Sequence, residues 1–133
     1  MIKFTQWLNE EISKNEIKDK AIDFSRKIAN NVSKDFKPAQ PFMSSDAKGW
    51  FFEFELPNSD YRLGVDVLFN GDLNNIGLYN MGNDKLGKDF KDLSKKLQDA
   101  LLKLSPKFKN YKVSDNEEKH EYNAPQNDKV SCV

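Results

Sequence analysis

Glu53, Glu55 and Asp66 are the residues whose type and spacing could support metal chemistry. They fall in two neighbouring segments of alternating apolar character. Period-two geometry therefore sets their carboxylates on one sheet face, where such groups can hold Mg²⁺. His120 and Cys132 are the single histidine and the single cysteine. A general base has to be held within hydrogen-bond reach of its proton, and the polar stretch around His120 shows no periodicity that would hold it. One His and one Cys are too few for a zinc site of His and Cys ligands, and a single Cys forms no intrachain disulfide. Neither a G-x-x-x-x-G-K-[S/T] loop nor a strand-linked G-x-G-x-x-G occurs. The expectation is no catalytic residue, no metal ligand and no cofactor. The same carboxylates, with Phe51 and Arg62, also suit a plainer role, in which they wet an outer sheet face and meet a protein partner.

Several elements must position these residues. Phe4, Trp7, Leu8 and Ile12, then Ile17, Ala21, Phe24, Ile28 and Val32, recur at helical spacing. The stripe slips between Ile12 and Ile17, where Asn15 can cap a second helix. Two helices over about 3–14 and 16–35 follow, with one kinked helix as the alternative. Pro38 and Pro41 mark residues 37–48 as a connector tacked down by Phe42 and Met43. Trp50, Phe52, Phe54 and Leu56 then share a face of one strand, and Tyr61, Leu63, Val65, Val67 and Phe69 a face of the next. Asn70-Gly71 predicts a two-residue type I′ hairpin turn. A third strand over 72–81 alternates poorly and reads as an edge strand or a bulged one. Leu86, Phe90, Leu93, Leu97, Leu101 and Leu104 predict a long amphipathic helix over 84–105, with Asp84 at its start and Pro106 at its end. Phe108, Tyr111 and Val113 suggest a short fourth strand. Residues 114–133 read as a disordered polar tail. The expected fold is α+β: N-terminal helices, a three-stranded antiparallel β-meander, a long C-terminal amphipathic helix, a short fourth strand and the loose tail. The domain division is a single domain over 1–113 and a flexible tail over 114–133.

The order helix, meander, helix, strand resembles the core order of the restriction-endonuclease-like nucleases. That resemblance covers element order alone, and it implies a divergent Mg²⁺-dependent nuclease. The family places an acidic residue near one strand and Glu-x-Lys on the next. The third strand here, Asn74-Asn75-Ile76-Gly77-Leu78-Tyr79, carries neither. Lys88, Lys91, Lys95, Lys96 and Lys103 on the long helix offer another route, the binding of nucleic-acid phosphates, although Asp89, Asp92 and Asp99 are interspersed among them. Ser131-Cys132-Val133 fits the S/T-x-apolar carboxyl-terminal pattern that resembles PDZ ligands.

At 133 residues the chain suits one domain of ordinary size. Charged residues make up 32% and the mean hydropathy is −0.78, yet ten Phe supply bulky core material. These values exclude collagen-like and wholly disordered chains. Lys and Arg balance Asp and Glu at 21 each, whereas a DNA-coating protein would carry a positive excess. The balance is uneven: residues 114–133 carry a net −3 and residues 1–113 a net +3. No signal-like or spanning apolar run occurs, so a soluble cytoplasmic protein is expected. The function expected is a non-catalytic protein-binding domain, most simply an inhibitor, immunity or anti-defence protein. Its partner would be a toxin or a defence enzyme, or a secreted client if the chain is a secretion chaperone. The contact residues would be Phe51, Glu53, Glu55, Arg62 and Asp66. A homodimer formed by third strands pairing across a two-fold axis is a further option.

Overall fold

The computed structural model describes residues 4–82, 88–116 and 118–133, with side chains described from Ser13 onward in the first helix. The side chains of the apolar stripe Phe4, Trp7, Leu8 and Ile12 lie outside that description, and so does the expected helix start at Asp84 and Leu86.

Helix α1 runs unbroken over Phe4–Val32, where two helices were expected. Asn15 costs a helix interior only about 0.7 kcal/mol relative to Ala, so the backbone can continue through it. Ala21, Ile28, Ala29 and Val32 are buried, and the Ser25 hydroxyl donates to the Ala21 carbonyl at 2.7 Å.

The expected connector is instead strand β1, Lys37–Ser45. It is an edge strand and so has hydrogen-bonding groups to spare, which is where proline is tolerated. Its pairing with β2, Gly49–Glu55, slips between Pro38↔Phe54 and Met43↔Phe52. Phe42 lies in that slip, with its ring 5.8 Å from Phe52 and 5.3 Å from Phe54. The β1–β2 turn is held by Asp46, whose Oδ1 accepts from the backbone N–H groups of Lys48 at 2.7 Å and Gly49 at 3.1 Å.

Strands β3, Tyr61–Leu68, and β4, Leu73–Asn80, follow as an antiparallel pair. Their connection is the four residues 69–72 and not the expected two-residue type I′ turn. Leu68 N–H donates to the Asp72 carbonyl at 2.9 Å, and Gly71 N–H donates to Leu68 at 2.8 Å. Gly71 alone of the pair takes a positive φ, +95°, a conformation that L side chains rarely adopt.

Helix α2, Lys88–Leu104, buries Phe90, Leu93, Ser94, Leu97 and Leu101. A 3-10 turn over Pro106–Asn110 then leads into β5, Lys112–Asp115, and β6, Lys119–Asn123. The described strands form one six-stranded antiparallel sheet in the order β1-β2-β3-β4-β6-β5. The structure is thus α+β, with one helix at the N-terminus and one in the middle. It corrects the three-stranded meander capped by a C-terminal helix. The stretch expected to be a disordered tail holds β6 and a closing segment. Backbone N–H of Ala124 donates to Asn74 at 2.9 Å, Leu73 to Val130 at 2.8 Å and Cys132 to Gly71 at 2.8 Å. Strand β4, expected to be an edge strand or a bulged one, does slip in its pairing with β3, between Asp66↔Asn75 and Val67↔Leu73, but it is interior, with β3 on one side and β6 on the other. That leaves it no edge for a two-fold partner. The helices share one buried cluster with Phe52, Phe54, Leu63, Val65, Val67, Ile76 and Leu78, so the core lies on one side of the sheet.

Candidate functional site

The opposite face of the sheet carries all five residues singled out for partner contact. Its rows follow from the strand register. Glu55, Arg62, Tyr79 and Lys119 align across β2, β3, β4 and β6. The next row is Glu53, Gly64, Gly77 and Glu121, and the third is Phe51, Asp66, Asn75 and Asn123. Two glycines at the centre of the middle row make a furrow. A Cβ on Gly64 would stand 2.7 Å from the tip of the Phe51 ring and 3.1 Å from Tyr79, so both rings lie over that backbone. A Cβ on Gly77 would stand 3.1 Å from Glu121 Cα. Phe51, the outward aromatic expected to be covered or in contact, is thus half-buried against a glycine.

Arg62 sits between two carboxylates, 3.9 Å from Glu53 and 3.7 Å from Glu55. At those distances and exposures the pairs contribute little stability, about 0–1 kcal/mol each. What they do is orient the guanidinium on the face. Tyr79 donates to Glu121 Oε2 at 2.6 Å, and Lys119 Nζ lies 3.9 Å from the same oxygen. Burial, reinforced by the Glu121 hydrogen bond and by the charges of Glu121, Asp66 and Glu53, pushes the Tyr79 phenol well above its ordinary value. It stays protonated and serves as a donor, not a base. Asp66 accepts from Asn74 Nδ2 at 3.3 Å. Burial nevertheless pushes its carboxyl above the ordinary value, with the Asp46 and Glu121 charges adding to the rise. Among the described residues no three His, Cys, Asp or Glu side chains gather into a metal-holding group. Glu53 and Glu55 turn toward Arg62.

Tyr79 and Glu121 belong to this face but were not singled out in the sequence. Tyr79 was legible in principle, because inward Ile76 and Leu78 force Asn75, Gly77 and Tyr79 outward. Glu121 gave no signal, because one inward aromatic, Tyr122, is all that marks β6 as a strand.

The lysines of α2 divide between two flanks. Lys96 and Lys103 border a hollow with Asn31 of α1, whereas Lys91 and Lys95 border a cleft against β5 and β6. His120 is on β6, not in a loose tail. Its Nε2 lies 3.1 Å from the Tyr122 hydroxyl, and its Nδ1 lies 3.8 Å from Asp115. Ser94 borders the same cleft, but the His120 nitrogens face Tyr122 and Asp115, so no serine–histidine hydrogen bond forms. A nucleophile needs that contact to be activated. Ser131-Cys132-Val133 is engaged as well, through the Asp72↔Ser131 bridge and the Cys132–Gly71 hydrogen bond. No described helix is long and apolar enough to cross a membrane. Comparison with protein-family models, with curated proteins and with solved structures finds no match to this chain.

Proposed function

We propose that the chain is a non-catalytic protein-binding domain of the inhibitor or immunity type. Its outer sheet face would cover a basic patch on a toxin or a defence enzyme. The observation that carries this reading is the make-up of that face. Two half-buried aromatics lie over a glycine furrow beside an oriented arginine, and Tyr and Arg dominate the residues that anchor protein interfaces. The central rows hold Glu53, Glu55, Asp66 and Glu121 against Arg62 and Lys119. The acidic excess gives charge complementarity to a cationic partner. Asp66 adds support, since burial opposes the charge it carries, and such groups concentrate at functional sites.

The test is affinity capture by the tagged full chain in extracts of its host, run beside Phe51→Ala, Arg62→Glu and a Lys96→Gln/Lys103→Gln control. A partner with a basic surface, held by the wild type and the lysine control and lost with the two face variants, is the expected result. Retention by the face variants, or capture of no stable partner, would overturn the reading.

A further inference from the structure

Two aromatic rings of this molecule carry a cation of its own. Lys14 Nζ stands 4.0 Å from the centre of the Phe69 ring, and the Arg26 guanidinium 5.8 Å from that of Phe42. Phe51, half-buried on the outer sheet face, has no cation over its ring among the described residues.

The strand register nevertheless sets a carboxylate on either side of that ring. Phe51 faces Asp66, and Glu53 faces Gly64, across β2 and β3, so the four positions form the corners of a square. A Cβ on Gly64 would stand 2.7 Å from the tip of the Phe51 ring. The ring therefore lies along one diagonal of the square, and Glu53 and Asp66 stand at the ends of the other. Diagonal neighbours in a sheet are about 7–8 Å apart. With hydrogen bonds of about 2.9 Å at each end, a planar fork of N–H donors resting on the ring can reach both carboxylates.

The fold does little to neutralise either of them. Asp66 accepts from the Asn74 amide and is in no ion pair among the described residues. Burial pushes its carboxyl up, a cost that a counter-cation relieves. Glu53 has Arg62 at 3.9 Å, too far for a hydrogen bond. The Arg62 guanidinium is spread over Glu55 and the carbonyls of Tyr61 and Ser59 as well. Phe51, Glu53 and Asp66 all keep part of their surface open to solvent.

We infer that this square seats an arginine side chain of the protein partner, its guanidinium stacked on Phe51 and its two edges donating to Glu53 and Asp66. The inference rests on the outer face being a contact surface and names the group that anchors the partner there. A guanidinium fits better than an ammonium, because it is planar, stacks on aromatic rings and carries donors at both edges. A second copy of the chain is a poor source for it. Its arginines are Arg26 and Arg62, and both are already engaged, one on Phe42 and the other between Glu53 and Glu55.

The probe is Nα-acetyl-arginine N-methylamide, titrated into the full chain and followed by backbone amide shifts. Saturable binding in the millimolar range is expected, with shifts centred on residues 51–54 and 63–67. The citrulline analogue, of the same shape without the charge, should cause none, and the lysine analogue should bind several-fold more weakly. Phe51→Leu, which keeps an apolar group over Gly64, and Glu53→Gln/Asp66→Asn should each weaken the arginine probe by about fivefold or more. Lys96→Gln/Lys103→Gln should leave it unchanged. The seat is overturned if the arginine probe causes no saturable shifts on β2 and β3, if the citrulline analogue binds equally well, or if Phe51→Leu and the carboxylate pair bind as the wild type does. Such a failure overturns the seat even where a basic partner is captured through the face. Binding of the probe at the square with no captured partner supports the seat and overturns only the inhibitor reading.

Discussion

Asp66 sits where burial works against its charge, and among the described residues only Asn74 hydrogen-bonds its carboxylate, at 3.3 Å. A carboxyl raised in the fold holds its proton more tightly when folded than when unfolded. Its contribution to stability is therefore greatest below the ordinary value of 3.8 and is lost as pH rises through the folded value. At neutral pH the charged group opposes folding. Asp66→Asn keeps an acceptor for Asn74 and removes the charge. Thermal melts should show this variant above the wild type at about pH 7, with the gap closing at about pH 3. A variant no more stable than the wild type at neutral pH would mean that the Asn74 bond outweighs burial. If the outer face is the contact surface, the same substitution weakens partner binding, so stability and function move in opposite directions.

Strands β2 and β3 were legible because both faces are marked. Trp50, Phe52 and Phe54 alternate with Phe51, Glu53 and Glu55, and Leu63, Val65 and Val67 alternate with Gly64 and Asp66. That alternation also assigned Phe51, Glu53, Glu55, Arg62 and Asp66 to one face. β1 was hidden by Pro38 and Pro41, which mark a connector unless the strand is known to be an edge. The C-terminal hairpin was hidden for a different reason. β5 and β6 are four and five residues long, and β6 offers one large inward apolar group, Tyr122, at 3% exposure. Its register is set by partners distant in sequence, Ile76↔Tyr122 and Val113↔Tyr122, and no local pattern contains that information. If a single aromatic anchors the hairpin, removing it should release the whole unit. Tyr122→Ala is expected to cost about 3–5 kcal/mol in chemical denaturation, as large aromatic truncations do. Native-state hydrogen exchange should also lose protection across β5 and β6 while β2 and β3 keep theirs.

For the molecule as a whole, the closing segment after β6 decides whether the sheet is finished or frayed. Val130, Ser131 and Cys132 run beside the β3–β4 loop, and Val130 N–H donates to the Tyr111 hydroxyl at 2.8 Å. The C-terminus is thereby tied to the turn after α2 and to the central hairpin at once. Cys132 reports on that closure, since it is 7% exposed and burial pushes its thiol up to about 12. The thiolate is the reactive form. At about pH 8 a thiol raised that far reacts on the order of a thousandfold more slowly than a free one with an ordinary value near 8.5. Labelling of Cys132 by a thiol reagent should therefore be slow in the folded chain and fast once urea unfolds it. Labelling at the free-thiol rate in native buffer would show that the segment stands loose from the sheet. The same burial makes an alkaline limit. Cys132 and Tyr122 are each held at about 12. As pH climbs from about 9 towards 12 the unfolded chain ionises first, and the stability that depends on their neutral forms is lost. Closure and alkaline stability should fail together in a Cys132→Asp variant, which places a charge where the fold keeps a neutral group. Hydrogen exchange at Leu73, whose amide donates to Val130 at 2.8 Å, would register the opening directly.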